Sequence, residues 1–241
     1  MKSNSRSLPR YLVSLGLVLL TMASLSLGAQ KHETDIRERL DASAVVLGQL
    51  ITAPDRPIPK QVLPEARCIV VVPSMVSFAL GIGVRRGKGV ATCRVAKDWS
   101  APAPVAFTGG SVGFQMGGEK IDLIMIGMNQ SAIERLLSSK FKAGKNISIM
   151  AGPVASEPST DIQWRNADIL SYSRSHGHFV GINLKGSAVK QDKDATVTLY
   201  GRYIPFVSIL DGKVHPPAGS VAFLATVRKH MGDASPNRQG K

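Results

Sequence analysis

Acidic side chains are the scarce class in this 241-residue chain: 17 Asp+Glu stand against 30 Lys+Arg. The carboxylates are scattered, so no pair of them is spaced for general acid–base work. Cysteine is nearly absent. Its two copies, Cys68 and Cys93, have no histidines nearby, which makes them a poor zinc site. There is no HExxH, no CxxC and no EF-hand loop. These absences lead us to expect no metal, no cofactor and no catalytic residue. His176 and His178 flank Gly177 without an obvious third ligand and read as exposed turn histidines.

Only one long apolar run is present, the uncharged stretch Tyr11 to Leu27. Lys2, Arg6 and Arg10 precede it, and the small residues of Ser26-Leu27-Gly28-Ala29 end it. This is the pattern of a secretory signal. A retained anchor is the alternative, but the run is at the short edge of the roughly 20 residues a span needs. Cleavage near Ala29 is expected, and the absence of a cysteine there excludes a lipobox. The expected product is exported and periplasmic. The expected division is 1–29 signal, 30–65 N-terminal helix and Pro-rich linker, 66–228 β-rich domain and 229–241 disordered tail.

Cleavage would remove three basic residues and no acidic one, leaving 27 Lys+Arg against 17 Asp+Glu. So basic a domain suits anionic partners, such as phospholipid head groups, and export argues against nucleic acid. In an oxidising compartment Cys68 and Cys93 are expected to bridge. Closing that loop would contribute about 3 kcal/mol in the chain-entropy picture.

Along the chain, Ile36, Leu40, Leu47 and Ile51 recur at helical spacing and predict an amphipathic helix over 33–52. Such a stripe either docks on a core or meets a membrane interface. Ala53 to Pro64 reads as a linker. Beyond it come candidate strands at 68–73, 78–84, 89–95, 105–108, 112–116, 122–128 and 146–151. Arg85-Arg86-Gly87-Lys88 reads as a hairpin turn. Ser131 and Glu134 form a capping box for a helix ending near Gly144. Residues 169–174 and 179–184 read as a hairpin, 195–200 as a strand, and 221–227 as a helix or a strand. Glycines between and inside strands bend them. The expected fold is α+β: a β-rich, strongly curved antiparallel sheet or partly closed barrel, with an N-terminal helix and one or two packed helices.

Gly109-Gly110-Ser111-Val112-Gly113 spells the G-x-S-x-G elbow, but the following Phe114-Gln115-Met116-Gly117-Gly118 cannot start the helix that an elbow requires. A serine hydrolase is therefore set aside. Exposed positive charge remains. Arg85, Arg86 and Lys88 are placed at a turn, and Lys140, Lys142 and Lys145 at a helix C-terminus, where cations also complement the dipole. Each cation near an anionic membrane contributes about 1 kcal/mol.

Val71-Val72-Pro73, Gly81-Ile82-Gly83, Gly87-Lys88-Gly89-Val90 and Trp99-Ser100-Ala101-Pro102 follow one another in a specific order. Gly110 to Gly118, Ala151-Gly152-Pro153 and Ser171-Tyr172-Ser173-Arg174-Ser175 continue it. In this succession the chain resembles the SYLF domain family, in its exported bacterial form, from about residue 33 to 227. The resemblance implies a non-catalytic module that binds phospholipids. Eukaryotic members favour phosphoinositides and yeast members also bind actin; export makes actin an unsuitable partner here. It also implies membrane contact through Ile36, Leu40, Leu47 and Ile51 and through Arg85, Arg86 and Lys88. The alternative expectation is a structural or scaffolding envelope protein that binds another protein or the cell wall.

Overall fold

The computed structural model describes residues 33–54, 58–96, 98–129, 141–142, 149–151, 167–179, 184 and 186–232. Helix α1 covers residues 33–51, and a single turn, α2 (Val62–Glu65), follows the proline-rich stretch. Then come β1 (Cys68–Val95), β2 (Asp98–Trp99) and β3 (Ala103–Gly127). Short strands β4 (Phe141–Lys142), β5 (Ile149–Ala151), β6 (Ile169–Ser175), β7 (His178–Phe179) and β8 (Ala188–Gln191) complete the sheet. Helices α3 (Lys193–Tyr200), α4 (Phe206–Leu210) and α5 (Val221–Met231) close the chain. The fold is α+β. Its eight-stranded sheet runs β2-β1-β3-β6-β5, with β8 joining β3 to β4 and β7 edging β6. Only β5–β6 is parallel among the described pairings, and the sheet does not close into a barrel.

Arg85, Arg86, Gly87 and Lys88 form no hairpin turn. They lie inside β1, which is 28 residues long and pairs with β3 from Cys68↔Gly127 to Ala91↔Ala103. The expected separate strands thus merge into one ribbon. The chain reverses instead between β1 and β3, where Ser100 Oγ accepts the Cys93 N–H and Thr92 Oγ1 donates to the Ser100 carbonyl.

The ribbon doubles back on itself. Twenty-five residues of extended strand would span roughly 80 Å, yet Cys68 and Cys93 have their Cα atoms 4.0 Å apart and form a disulfide. Arg94 N–H also donates to the Arg67 carbonyl at 2.7 Å. A Cβ on Gly89 would sit 2.0 Å from the Val71 carbonyl oxygen, and one on Gly87 would sit 2.5 Å from Val72 Cγ1. Halfway between these partners, near residue 80, lies the crest of the fold-back.

This geometry makes two cores. Val70, Val72, Met75, Ala91, Cys93, Val105, Phe107, Leu123 and Met125 pack inside the doubled ribbon, capped by Phe206, Ile209 and Leu210 of α4. On the ribbon's other face, Ile69, Val71, Val90, Ile124, Ile126 and Tyr172 meet Leu40, Leu47 and Leu50 of α1 and Phe223, Leu224 and Val227 of α5. The side of β1 facing each core changes parity at Ser74. There one extra residue, with φ 47°, breaks the register between Val72 and Met75.

Residues 195–200 are helix rather than strand. Asp192 caps α3 by accepting the Ala195 N–H, and Gly201 ends it in the left-handed region. Residues 221–231 are helix. The capping-box helix lies outside the described residues except at its end, where Phe141 and Lys142 are strand, paired with Val189 and Ala188.

Candidate functional site

Beyond the Ser74 bulge, the even-numbered side chains of β1 share the sheet face that Val90 turns toward α1 and α5. Those helices do not reach the crest. Val76, Phe78 and Val84 are therefore about half exposed, at 50%, 48% and 53%. The cross-strand partner of Phe78 is Gly118, and that of Val84 is Gly110. Neither glycine has a neighbour within 4 Å of where a Cβ would stand. Three large apolar side chains thus lie open on one face, two of them because their partners have no side chains to cover them.

Cations stand on the same face. Arg86, Lys88 and Lys120 are exposed, and Lys120 is paired directly with Val76. Arg85 points the other way. It is half-buried on the inner side, where burial lowers its guanidinium from its ordinary value and Glu119 opposes that shift. The strand period of two therefore separates Arg85 from Arg86 and Lys88, which the expected turn had grouped.

Lys88 also belongs to an ion network. Buried Arg39 reaches Asp35 and Asp192, each at 3.0 Å, and Lys88 Nζ lies 3.9 Å and 3.8 Å from the same two carboxylates. Asp192 holds this network with Oδ2 while Oδ1 caps α3. The network ties α1 to the ribbon at the foot of the basic face. Ile36, Leu40 and Leu47 are buried beneath α1 and Ile51 is half-buried, so the amphipathic stripe docks on the core. Lys140 and Lys145 lie outside the described residues, and Lys142 is on β4.

A second anchor was not visible in the sequence. Arg94 donates to the carbonyls of Ala66 and Leu63 beside α2 and to those of Met231 and Gly232 at the end of α5. Its guanidinium also lies 4.6 Å from the Trp99 ring centroid. Trp99 Nε1 donates to the same Gly232 carbonyl. Helix ends leave orphan carbonyls, and one side chain satisfies those of two helices.

The Ysc84 family, described as "Las17-binding protein actin regulator", matches residues 108–230. The chain is 30% identical over 220 residues to Protein YSC84 of Saccharomyces cerevisiae, covering 85% of this chain and 46% of that protein. This chain belongs to the SYLF (Ysc84) family. It is also 29% identical over 217 residues to yeast LAS seventeen-binding protein 3, covering 88% of this chain and 47% of that protein. To human SH3 domain-containing YSC84-like protein 1 it is 28% identical over 168 residues, covering 68% of this chain and 49% of that one. The chain spans about half the length of these curated relatives, none of which is named as an enzyme.

In this SYLF chain the backbone at Ser111 is continuous strand, paired with Gly83. The strand–turn–helix setting of a nucleophile elbow is absent there. No described helix is long and apolar enough to cross a membrane. What the outer ribbon face can do chemically is bind: apolar groups at a crest with cations behind them suit a surface that is both anionic and greasy.

Proposed function

We propose that this chain is an exported, non-catalytic module that binds anionic phospholipid surfaces through the crest of its doubled ribbon. The observation that carries the reading is the exposure of Val76, Phe78 and Val84 on the face that also bears Arg86, Lys88 and Lys120. Cations near an anionic membrane contribute about 1 kcal/mol each, and shallow insertion of the three apolar side chains adds hydrophobic attraction. The Cys68–Cys93 bridge supports an oxidising compartment, in keeping with cleavage near Ala29 and a periplasmic product. Residues 36, 40, 47 and 51 act in this reading by holding α1 on the core, not by insertion.

Flotation with vesicles of phosphatidylglycerol and cardiolipin tests this. The parent chain floats at low salt and is released as salt rises. Phe78→Ser with Val84→Ser, or Arg86→Glu, reduces flotation, while Arg85→Gln leaves it unchanged. Equal flotation of all four proteins, or none by the parent, sinks the reading. A second reading draws on the name of the yeast relative, LAS seventeen-binding protein 3: the same face docks a protein. A stoichiometric protein partner that Phe78→Ser releases, with no lipid bound, would favour it.

A further inference from the structure

Lys120 stands at the border of a second feature. An open cleft of about 640 Å³ lies between the C-terminal end of α1, the Ser74 bulge and the β6–β7 turn. Thr52, Ser74, Lys120, Asp122, Arg174 and His176 are among the residues that line it. Asp122 and Arg174 are direct cross-strand partners on β3 and β6. Opposite charges so placed ordinarily pair, yet no ion pair links them among the described residues. Asp122 Oδ1 instead accepts the Ser74 N–H at 2.8 Å, the group that the bulge takes out of the ladder. Arg174 Nε is buried and has no hydrogen-bond partner among the described residues.

The surroundings add positive charge and donors. Ser175 Oγ donates to the Lys120 carbonyl at 3.1 Å and lies 3.0 Å from His176 Nδ1. A hydroxyl has one proton, so with that proton on Lys120 it is His176 Nδ1–H that donates to Ser175. The turn is thereby fixed beside Arg174. Two cations, Lys120 and Arg174, line the cleft, and the one carboxylate lining it accepts a backbone N–H. A planar guanidinium offers a fork of N–H donors that matches a phosphate, and Arg174 lines the cleft.

We propose that this cleft is a binding site for a phosphate-bearing anion, with Arg174 as the fork and Lys120 as the second cation. The anion is the headgroup phosphate of an anionic phospholipid or a soluble phosphate monoester. Its lipid source rests on the reading of the ribbon face above; the site itself does not. The carbonyl end of α1 also lies at the cleft, and cations complement such an end. A purely structural role for Arg174 would therefore change thermal stability without changing ligand affinity.

The test uses the full chain, with glycerol 3-phosphate followed by calorimetry and phosphatidic acid vesicles followed by flotation. Melting curves accompany each variant. Arg174→Gln weakens whichever probe binds by at least about tenfold, and Arg174→Lys, which keeps the charge but loses the fork, recovers only part. Lys120→Gln weakens it less. Phe78→Ser with Val84→Ser reduces flotation and leaves glycerol 3-phosphate binding intact. Arg174-dependent binding of glycerol 3-phosphate with no flotation upholds the cleft and removes the lipid reading. Flotation that depends on Phe78 and Val84, with both probes indifferent to Arg174, overturns the cleft and leaves the lipid reading standing.

Discussion

Replacing Gly89 with alanine tests the doubling back of β1 most directly. The new Cβ would stand 2.0 Å from the Val71 carbonyl oxygen and 2.9 Å from the Val71 carbonyl carbon and from Val72 Cα. These are backbone atoms, so no rotamer change relieves the contact. The two halves of the ribbon must separate, which opens the core holding Val70, Val72 and Phe107. Overpacking a close contact costs about 1–3 kcal/mol, and a rigid backbone neighbour places this case at the top of that range. For a domain of this size that is roughly 6–12 °C in melting temperature. The control is the same substitution at Gly110, where nothing lies within 4 Å. A strand-interior glycine is weaker than alanine by roughly 0.5–1 kcal/mol, so Gly110→Ala is neutral or slightly stabilising. Thermal and denaturant unfolding of the two variants read the difference. Equal stability of Gly89→Ala and Gly110→Ala would refute the fold-back.

Reducing the Cys68–Cys93 bridge, or replacing both cysteines with alanine, destabilises by about 3 kcal/mol as read from the denaturant midpoint; an unchanged midpoint contradicts the assigned pairing. Arg94→Ala leaves carbonyls of α2 and α5 without their donor and costs about 2–3 kcal/mol. Arg94→Lys recovers little of this in a thermal melt, because an ammonium cannot serve four carbonyls spread around a planar fork. Asp98 accepts two hydrogen bonds from Arg228, at 2.8 Å and 2.7 Å, which hold its carboxyl below the ordinary value. A depressed folded value gives stability that is present above the unfolded value and lost as pH falls through the folded one. The pair is largely exposed, so Asp98→Asn costs under about 1 kcal/mol at pH 7. Melts should show the gap between variant and parent narrowing as pH falls below about 4; a gap that does not narrow contradicts the assignment.

The helical stripe of α1 was legible because its buried positions repeat at the spacing of one helix face. Ile36, Leu40 and Leu47 carry that signal, and all three are buried. The α+β class and the curvature were legible from glycines set inside apolar runs. The length of β1 was not. Arg85-Arg86-Gly87-Lys88 has turn composition, and the reason Gly87 stands there is tertiary: Val72 and Met75 occupy the place of its side chain. Residues 195–200 read as a strand, yet Asp192 and Gly201 cap and stop a helix there. The exposed apolar positions were hidden for a related reason. Phe78 and Val84 lie in a run that reads as a strand with no sign of which face is open, and only the pairing with Gly118 and Gly110 uncovers them. The roles of Arg39 and Arg94 carry no local pattern, since each joins segments far apart in the chain.

The glycines on the ribbon's two faces have opposite consequences, and together they connect the fold to the proposed activity. On the inner face, Gly87 and Gly89 let the strand halves approach until backbone meets side chain and backbone. That approach sets the crest near residue 80. On the outer face, Gly110 and Gly118 leave Val84 and Phe78 bare on either side of that crest. Filling the outer positions should therefore alter binding without harming the fold. Gly118→Val would set a β-branched side chain beside Phe78, where a Cβ meets nothing within 4 Å, and cross-strand pairs of this kind contribute roughly 0.2–1 kcal/mol. Stability should hold or rise slightly while vesicle flotation changes. A Gly118→Val chain that unfolds would place Gly118 in the packed interior, and a stable one that binds vesicles like the parent would remove Phe78 from the contact surface.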